Sequence, residues 1–144
     1  LPWQTLGYSA ETLKNYLLRP DPALYRFVIT VAEQVAGTVG VRYPWLRGAN
    51  LELLAVYPAQ QGQGLGRTVI EWLAAELRST SSRNLWTLVS SFNTPAQDFY
   101  QRLGFITIGQ LDDFIIPGYG EIFLRKVLSK SEDLDSSSFS LPLA

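Results

Sequence analysis

The sequence predicts a mixed α+β domain built around one sheet. Three observations lead there: several short β-branched and aromatic runs, two helical patterns that each lie between such runs, and a length of 144 residues, which favours a single domain. Apolar residues make up 47% of the chain and charged ones 17%, so a core can form without staples and disorder of the whole chain is not expected.

The elements follow in order. Ser9 precedes Ala-Glu-Thr-Leu-Lys-Asn-Tyr-Leu-Leu and reads as the cap of a helix over 9–19 that stops at Pro20. Thr12 and Tyr16 share one face of it, Leu13 and Leu17 another. Tyr25 to Ala32 and Val35 to Tyr43 read as two strands, with the polar pair Glu33-Gln34 as the turn of a hairpin. Pro44 to Asn50 reads as a loop. Leu51 to Tyr57 is apolar almost throughout, as a buried central strand would be.

Pro58 ends that strand and a polar, Gly-rich segment follows, running into a helix with Val69, Ile70, Leu73, Ala74 and Leu77 on one face. Ser79 to Ser82 breaks the helix, and Leu85 to Val89 is the next strand. Asn93-Thr94-Pro95 starts another helix, with Pro95 in its first turn, Phe99 and Leu103 on its apolar face and Gly104 placed for a C-terminal cap. Phe105 to Ile108 and Ile122 to Val127 complete the strands, with a loop from Asp112 to Gly120 turning at Pro117-Gly118. Residues 1–128 are expected to form the domain, and the Ser-rich, acidic stretch 129–144 a flexible tail.

Composition narrows the chemistry. The chain has no His and no Cys, which excludes a Ser-His-Asp triad, a Cys nucleophile, a disulfide and an imidazole or thiolate zinc site. No metal is expected. Twelve Lys and Arg stand against thirteen Asp and Glu, scattered without a basic stripe, so nucleic acid is not an expected partner. No apolar run approaches the ~20 residues of a membrane span, and the start does not resemble a signal peptide. Absence of Cys fits a cytoplasmic protein. Without a Met, the chain is expected to lack some N-terminal sequence ahead of residue 1.

The segment Gln61-Gly62-Gln63-Gly64-Leu65-Gly66 sets glycines at every second position between a buried strand and a helix. Glycine lets the backbone approach a ligand, and the first turn of a helix offers unpaired N–H groups and about half a positive charge. Together they suit a phosphate or pyrophosphate. A P-loop would need Lys at the helix start, and none is present. A dinucleotide fingerprint would place its third Gly where Arg67 stands, and would sit in a parallel sheet.

Gln61, Gly64 and Gly66 instead resemble the acyl-CoA pyrophosphate loop of the GNAT superfamily of N-acyltransferases, Gln/Arg-x-x-Gly-x-Gly/Ala. Leu54-Ala55-Val56-Tyr57-Pro58 is similar to the strand that precedes this loop in the family, and Asn93, Ala96, Phe99-Tyr100 and Leu103-Gly104-Phe105 resemble its second cofactor motif. The resemblance covers residues 25–127. It implies the GNAT fold: a mostly antiparallel twisted sheet with helices on both faces and two central parallel strands, matching 51–57 and 85–89, that splay apart. It also implies a strand and a helix ahead of the helix at 9–19, and the first strand of the fold is expected to be missing from this chain. An edge strand left unpaired in this way would be covered by the tail or by a second copy, so a homodimer is a candidate assembly.

Site roles carry over by the same resemblance. Gln61, Gly62, Gln63, Gly64, Leu65, Gly66 and Arg67 would hold the pyrophosphate of acetyl-CoA. Leu54, Ala55 and Val56 would pair with the pantetheine arm in the manner of an added strand, an N–H near Val56 would polarise the thioester carbonyl, and Asn93 would hydrogen-bond the arm or simply cap its helix. Tyr100 stands at the position of the general acid for the departing thiolate. The family often has a base at the place of Asn50, which cannot serve. Glu52, the only charge in that strand, is the remaining candidate, either as base or as the structural partner of an Arg. Alternation puts it on one face with Asn50, Leu54 and Val56. Asp112, Asp113, Tyr119 and Glu121 stand in or beside a loop that in the family often borders the acceptor, where an acidic rim would attract a cationic amine; the alternative is an ordinary solvated loop. Arg42, Trp45 and Arg47, ahead of the central strand, are another candidate wall. The implied activity is direct acetyl transfer from acetyl-CoA to a primary amine; the alternative is a CoA-binding sensor without turnover.

Overall fold

The computed structural model describes Leu6 and residues 8–129. The stretch 130–144, nearly all of the expected tail, lies outside the described residues. Nine elements follow in order: α1 (Ala10–Leu18), β1 (Leu24–Val31), β2 (Gln34–Trp45), β3 (Gly48–Val56), α2 (Leu65–Arg78), β4 (Asn84–Ser90), α3 (Thr94–Arg102), β5 (Ile106–Leu111) and β6 (Glu121–Val127), with a short 3₁₀ turn at Pro58–Gln60.

The strands form one six-stranded sheet in the order β1-β2-β3-β4-β6-β5. Every neighbouring pair is antiparallel except β3 and β4, which run parallel and pair only from Gly48/Asn84 to Leu51/Thr87. Thr87 closes that short ladder, its hydroxyl donating to the Leu51 carbonyl at 2.9 Å. Beyond this point the two strands no longer pair, and the sheet is split along its middle.

Helices lie on both faces. Val39, Val41, Ala49, Leu51, Leu85, Val89 and Leu124 point to one face and pack with Ile70, Leu73, Ala74 and Leu77 of α2 and Tyr100 of α3. Leu85 and Leu124 are fully buried there, each contributing roughly 1.5–3 kcal/mol relative to an exposed side chain. The other face carries α1. Ser9 caps that helix by accepting from the Thr12 N–H at 3.1 Å, and Tyr16 reaches the sheet beside Gly40 and donates to Glu52 at 2.9 Å.

Both hairpin turns differ from expectation. The first turns on Ala32 (φ 50°) and Glu33 (φ 66°), one residue earlier than Glu33-Gln34, and Gln34 already belongs to β2. The second turns on Leu46 (φ 43°) and Arg47 (φ 61°), so most of the expected loop from Pro44 to Asn50 is strand. Two successive positive φ values match the twist of the flanking strands. Ala, Glu, Leu and Arg give no local signal for that geometry. β5 also begins one residue later than expected and runs on to Leu111.

A third difference changes the site. Gly40 pairs with Leu53 but Val41 pairs with Leu51, so Glu52 is an extra residue bulged out of β3. Simple alternation therefore fails across it. Glu52 and Leu53 both serve the α1 face, whereas Leu54 packs toward the core formed with α2 and α3. The expectation that Glu52, Leu54 and Val56 share a face is corrected by this bulge.

Candidate active site

A groove of about 470 Å³ opens on the α2–α3 side of the split. Leu54 and Val56 of β3 form one wall, Pro95, Ala96, Phe99 and Tyr100 of α3 the other, and the stretch from Gln60 to Arg67 closes one end. The elements that line it are those the sequence singled out.

The glycines hold the loop for two different reasons. Gly62 (φ 80°) and Gly64 (φ 76°) are left-handed, and a Cβ on either would meet nothing within 4 Å, so their surroundings are open and their constraint is the backbone alone. Gly64 is the N-cap of α2 and offers no side-chain cap, which leaves the N–H groups of the first turn facing outward from the helix end. Gly66 is different: a Cβ there would lie 2.9 Å from Cζ of Phe99, so glycine lets α2 and α3 meet. Gln61 turns back and donates to the Val56 carbonyl at 3.0 Å, tying the loop to the end of β3. Arg67 is exposed and paired with Glu71 one helical turn on, at 2.9 Å.

Tyr100 is buried at the inner end of the groove, beside Thr87. Burial pushes its hydroxyl up to about 12, an effect that the adjacent Thr87 hydroxyl partly offsets. It is therefore neutral at physiological pH, with a proton to donate and no charge to act as a base. Asn93 caps α3, its side chain accepting from the Ala96 N–H at 3.3 Å. Gly104 (φ 91°) follows the C-terminal end of that helix, as its position in the sequence implied.

Glu52 stands apart from this groove. Its two oxygens accept from Arg42 Nε at 2.5 Å and from Tyr16 at 2.9 Å, and Arg42 also pairs with Asp21 at 3.0 Å. Those hydrogen bonds to carboxylates raise the Arg42 guanidinium further and hold Asp21 below the ordinary range. Tyr16 is raised by burial and by its bond to Glu52. The four side chains link α1, the β1 approach, β2 and β3. Asn50, on the same face, is buried, and its Oδ1 has no hydrogen-bond partner among the described residues.

Trp86 lies on the face of β4 opposite the core residues Leu85 and Val89. It is stacked on Phe123 with centroids 4.9 Å apart, edge-on to Trp45, and donates to the Leu46 carbonyl at 2.9 Å. The loop residues Asp112 and Asp113 are exposed and bond locally, to Gln110 and the Gly118 N–H. Glu121, at the end of that loop, is buried.

Residues 1–105 match the model of the acetyltransferase (GNAT) family. Streptothricin acetyltransferase of Streptomyces lavendulae is 33% identical over 85 residues, covering 58% of this chain and 44% of that protein. The [Ribosomal protein bS18]-alanine N-acetyltransferase of Escherichia coli K12 is 33% identical over 107 residues, covering 72% of this chain and 64% of that one. The chain thus spans about half to two thirds of these curated relatives. Among solved structures, an acetyltransferase from Thermus thermophilus superposes with a TM-score of 0.70 at 27% identity, covering 88% of this chain and 82% of that one. The split sheet, the glycine loop opening α2 and the extended family match agree: this chain belongs to the GNAT family of acetyltransferases.

Proposed function

We propose that the chain is an N-acetyltransferase that moves the acetyl group of acetyl-CoA directly to a primary amine. The observation that carries this is the groove, which joins an anion-binding helix end to an unpaired strand edge and then to a buried phenol. The relatives' names, acetyltransferases for an antibiotic and for a protein's N-terminal alanine, support an amine acceptor.

In this reading the backbone from Gln61 to Arg67 receives the pyrophosphate. Gly62 and Gly64 leave room for it, and the end of α2 supplies donors and partial positive charge. Leu54, Ala55 and Val56, on the strand left without a parallel partner, hold the pantetheine arm through backbone groups. Asn93 caps α3 and contributes its remaining polar capacity to the arm. The amine nitrogen bonds to the acetyl carbon as the carbon–sulfur bond breaks, its surplus proton leaves to water, and the departing thiolate accepts a hydrogen bond from Tyr100. A phenol near 12 does not surrender its proton outright to a thiolate whose conjugate acid lies near ~8.5, so Tyr100 acts as a donor throughout. Glu52, held by Arg42 and Tyr16, anchors α1 to the sheet rather than taking the amine's proton.

A thiol-release assay with acetyl-CoA and a panel of primary amines and peptides tests this. Acceptor-dependent release of CoA is expected. Tight acetyl-CoA binding with no release on any acceptor would instead identify a sensor.

A further inference from the structure

The β3–β4 ladder ends on a hydroxyl rather than on a backbone rung. Thr87 is 2% exposed, and its Oγ1 donates to the Leu51 carbonyl at 2.9 Å. Leu51 is the last residue of β3 to pair with β4 and stands immediately before the bulge at Glu52. Thr87 points to the α2–α3 side, as Leu85 and Val89 on alternate positions of β4 do. It therefore faces Tyr100, whose phenol lies within hydrogen-bonding reach of the Thr87 hydroxyl. No charged group acts on that phenol; burial and Thr87 alone set its acidity.

A hydroxyl has one proton to give and two lone pairs with which to accept. Thr87 stands between two oxygens: the Leu51 carbonyl, which can only accept, and the Tyr100 phenol, which can do either. With the Thr87 proton on Leu51, the phenol proton is drawn toward Thr87 and away from the groove. A thiolate leaving in the groove claims the phenol's hydrogen bond, and negative charge then builds on the phenol oxygen. The Thr87 hydroxyl can answer by turning about its Cβ–Oγ1 bond from Leu51 to Tyr100. No covalent bond changes and no proton is transferred in that turn. A hydrogen bond to an oxygen that carries charge is stronger than one to a neutral carbonyl, so the turn is favoured only while the thiolate is forming. An interaction made in the transition state and not in the ground state acts on kcat rather than on KM.

We infer that Thr87 is a positioning residue for the transfer step, its hydroxyl exchanging the Leu51 carbonyl for the Tyr100 oxygen as the thiolate departs. The inference rests on the acetyl-transfer reading with Tyr100 as donor, and adds to it the residue behind the phenol.

Steady-state kinetics of Thr87→Val and Thr87→Ser, each alone and combined with Tyr100→Phe, test it. Thr87→Val keeps nearly the same shape without the hydroxyl. It should lower kcat about tenfold, the worth of one charge-assisted contact, with KM for acetyl-CoA little changed. Thr87→Ser should recover most of that loss. In the Tyr100→Phe background Thr87→Val should lower kcat by less than about twofold, because the oxygen it serves is gone. An equal fall in both backgrounds would reduce Thr87 to closing the ladder and overturn the inference. If Thr87→Val does not fold, Thr87→Cys, a weak donor, gives the same comparison.

A second readout needs no turnover. With a ring-fluorinated tyrosine at position 100, which is more acidic than tyrosine, fluorine NMR follows ionisation of the phenol. Thr87→Val should make it about a tenfold weaker acid, and Thr87→Ser should leave it near the parent value. A titration unchanged by Thr87→Val would also overturn the inference. The same titration keeps the two readings apart. A phenol that responds to Thr87, in a protein that releases no CoA with any acceptor, would sink acetyl transfer and leave the Thr87–Tyr100 coupling standing.

Discussion

Tyr100 and Glu121 are both buried acids, and burial raises both, but the consequences differ. For Tyr100 a value near 12 means a neutral donor at every physiological pH. Tyr100→Phe keeps the ring and its packing on Phe99 and Phe105 while deleting the donor. We expect kcat to fall about 10²-fold, the low end for acid–base assistance, with little change in KM for acetyl-CoA; steady-state kinetics will show it, and equal turnover would make the hydroxyl structural. For Glu121 the raised carboxyl is a stability matter. A folded pKa above the unfolded one gives a contribution that is fully present below the unfolded value, near ~4.3, and lost as pH rises through the folded value. Glu121→Gln should therefore gain in Tm relative to the parent protein as pH goes from acidic to neutral, and a difference that is constant with pH would contradict this. At this scale Tyr100 and Asn93 were legible because each stands within a contiguous motif. The network around Glu52 was not: its partners Arg42 and Tyr16, and Asp21 on the far side of Arg42, lie 10 to 36 positions away from it, and only the folded sheet brings them together.

Among the elements, the loop into α2 shows why three glycines in one motif should not respond alike. Gly64→Ala meets open space but forces a side chain onto a left-handed backbone, a cost of roughly 1–2 kcal/mol. Gly66→Ala keeps an ordinary helical backbone but presses on Phe99, an overpacking cost of about 1–3 kcal/mol. Urea unfolding of each variant, alone and with Phe99→Leu, distinguishes them. Phe99→Leu should offset the loss in Gly66→Ala and leave that in Gly64→Ala unrelieved; identical coupling in both pairs would refute the assignment. The strand–loop–helix order here was readable because Pro58, the glycines and the apolar face of α2 are strong local signals. The bulge at Glu52 and the turns at Ala32-Glu33 and Leu46-Arg47 were not, since none uses a residue type that marks its geometry. Missing the bulge had the larger effect, because one extra residue reverses the face of everything after it in β3.

At the scale of the whole molecule, function follows from one parallel pair inside an otherwise antiparallel sheet. Two antiparallel ladders meet at β3 and β4, whose pairing ends at Leu51 and Thr87, and the gap beyond is what the groove occupies. The sequence reached the strand and helix order from periodicity, and the family resemblance supplied the split, which no single strand encodes. Among the described residues no helix is long and apolar enough to cross a membrane. The central claim is that the groove holds acetyl-CoA by its pyrophosphate as well as by its arm. Calorimetric titration with acetyl-CoA beside acetyl-pantetheine, which lacks the pyrophosphate, tests it most directly. Saturable binding of acetyl-CoA, with acetyl-pantetheine far weaker, is the predicted result; no acetyl-CoA binding at millimolar concentration, or equal affinity for the two, would contradict it.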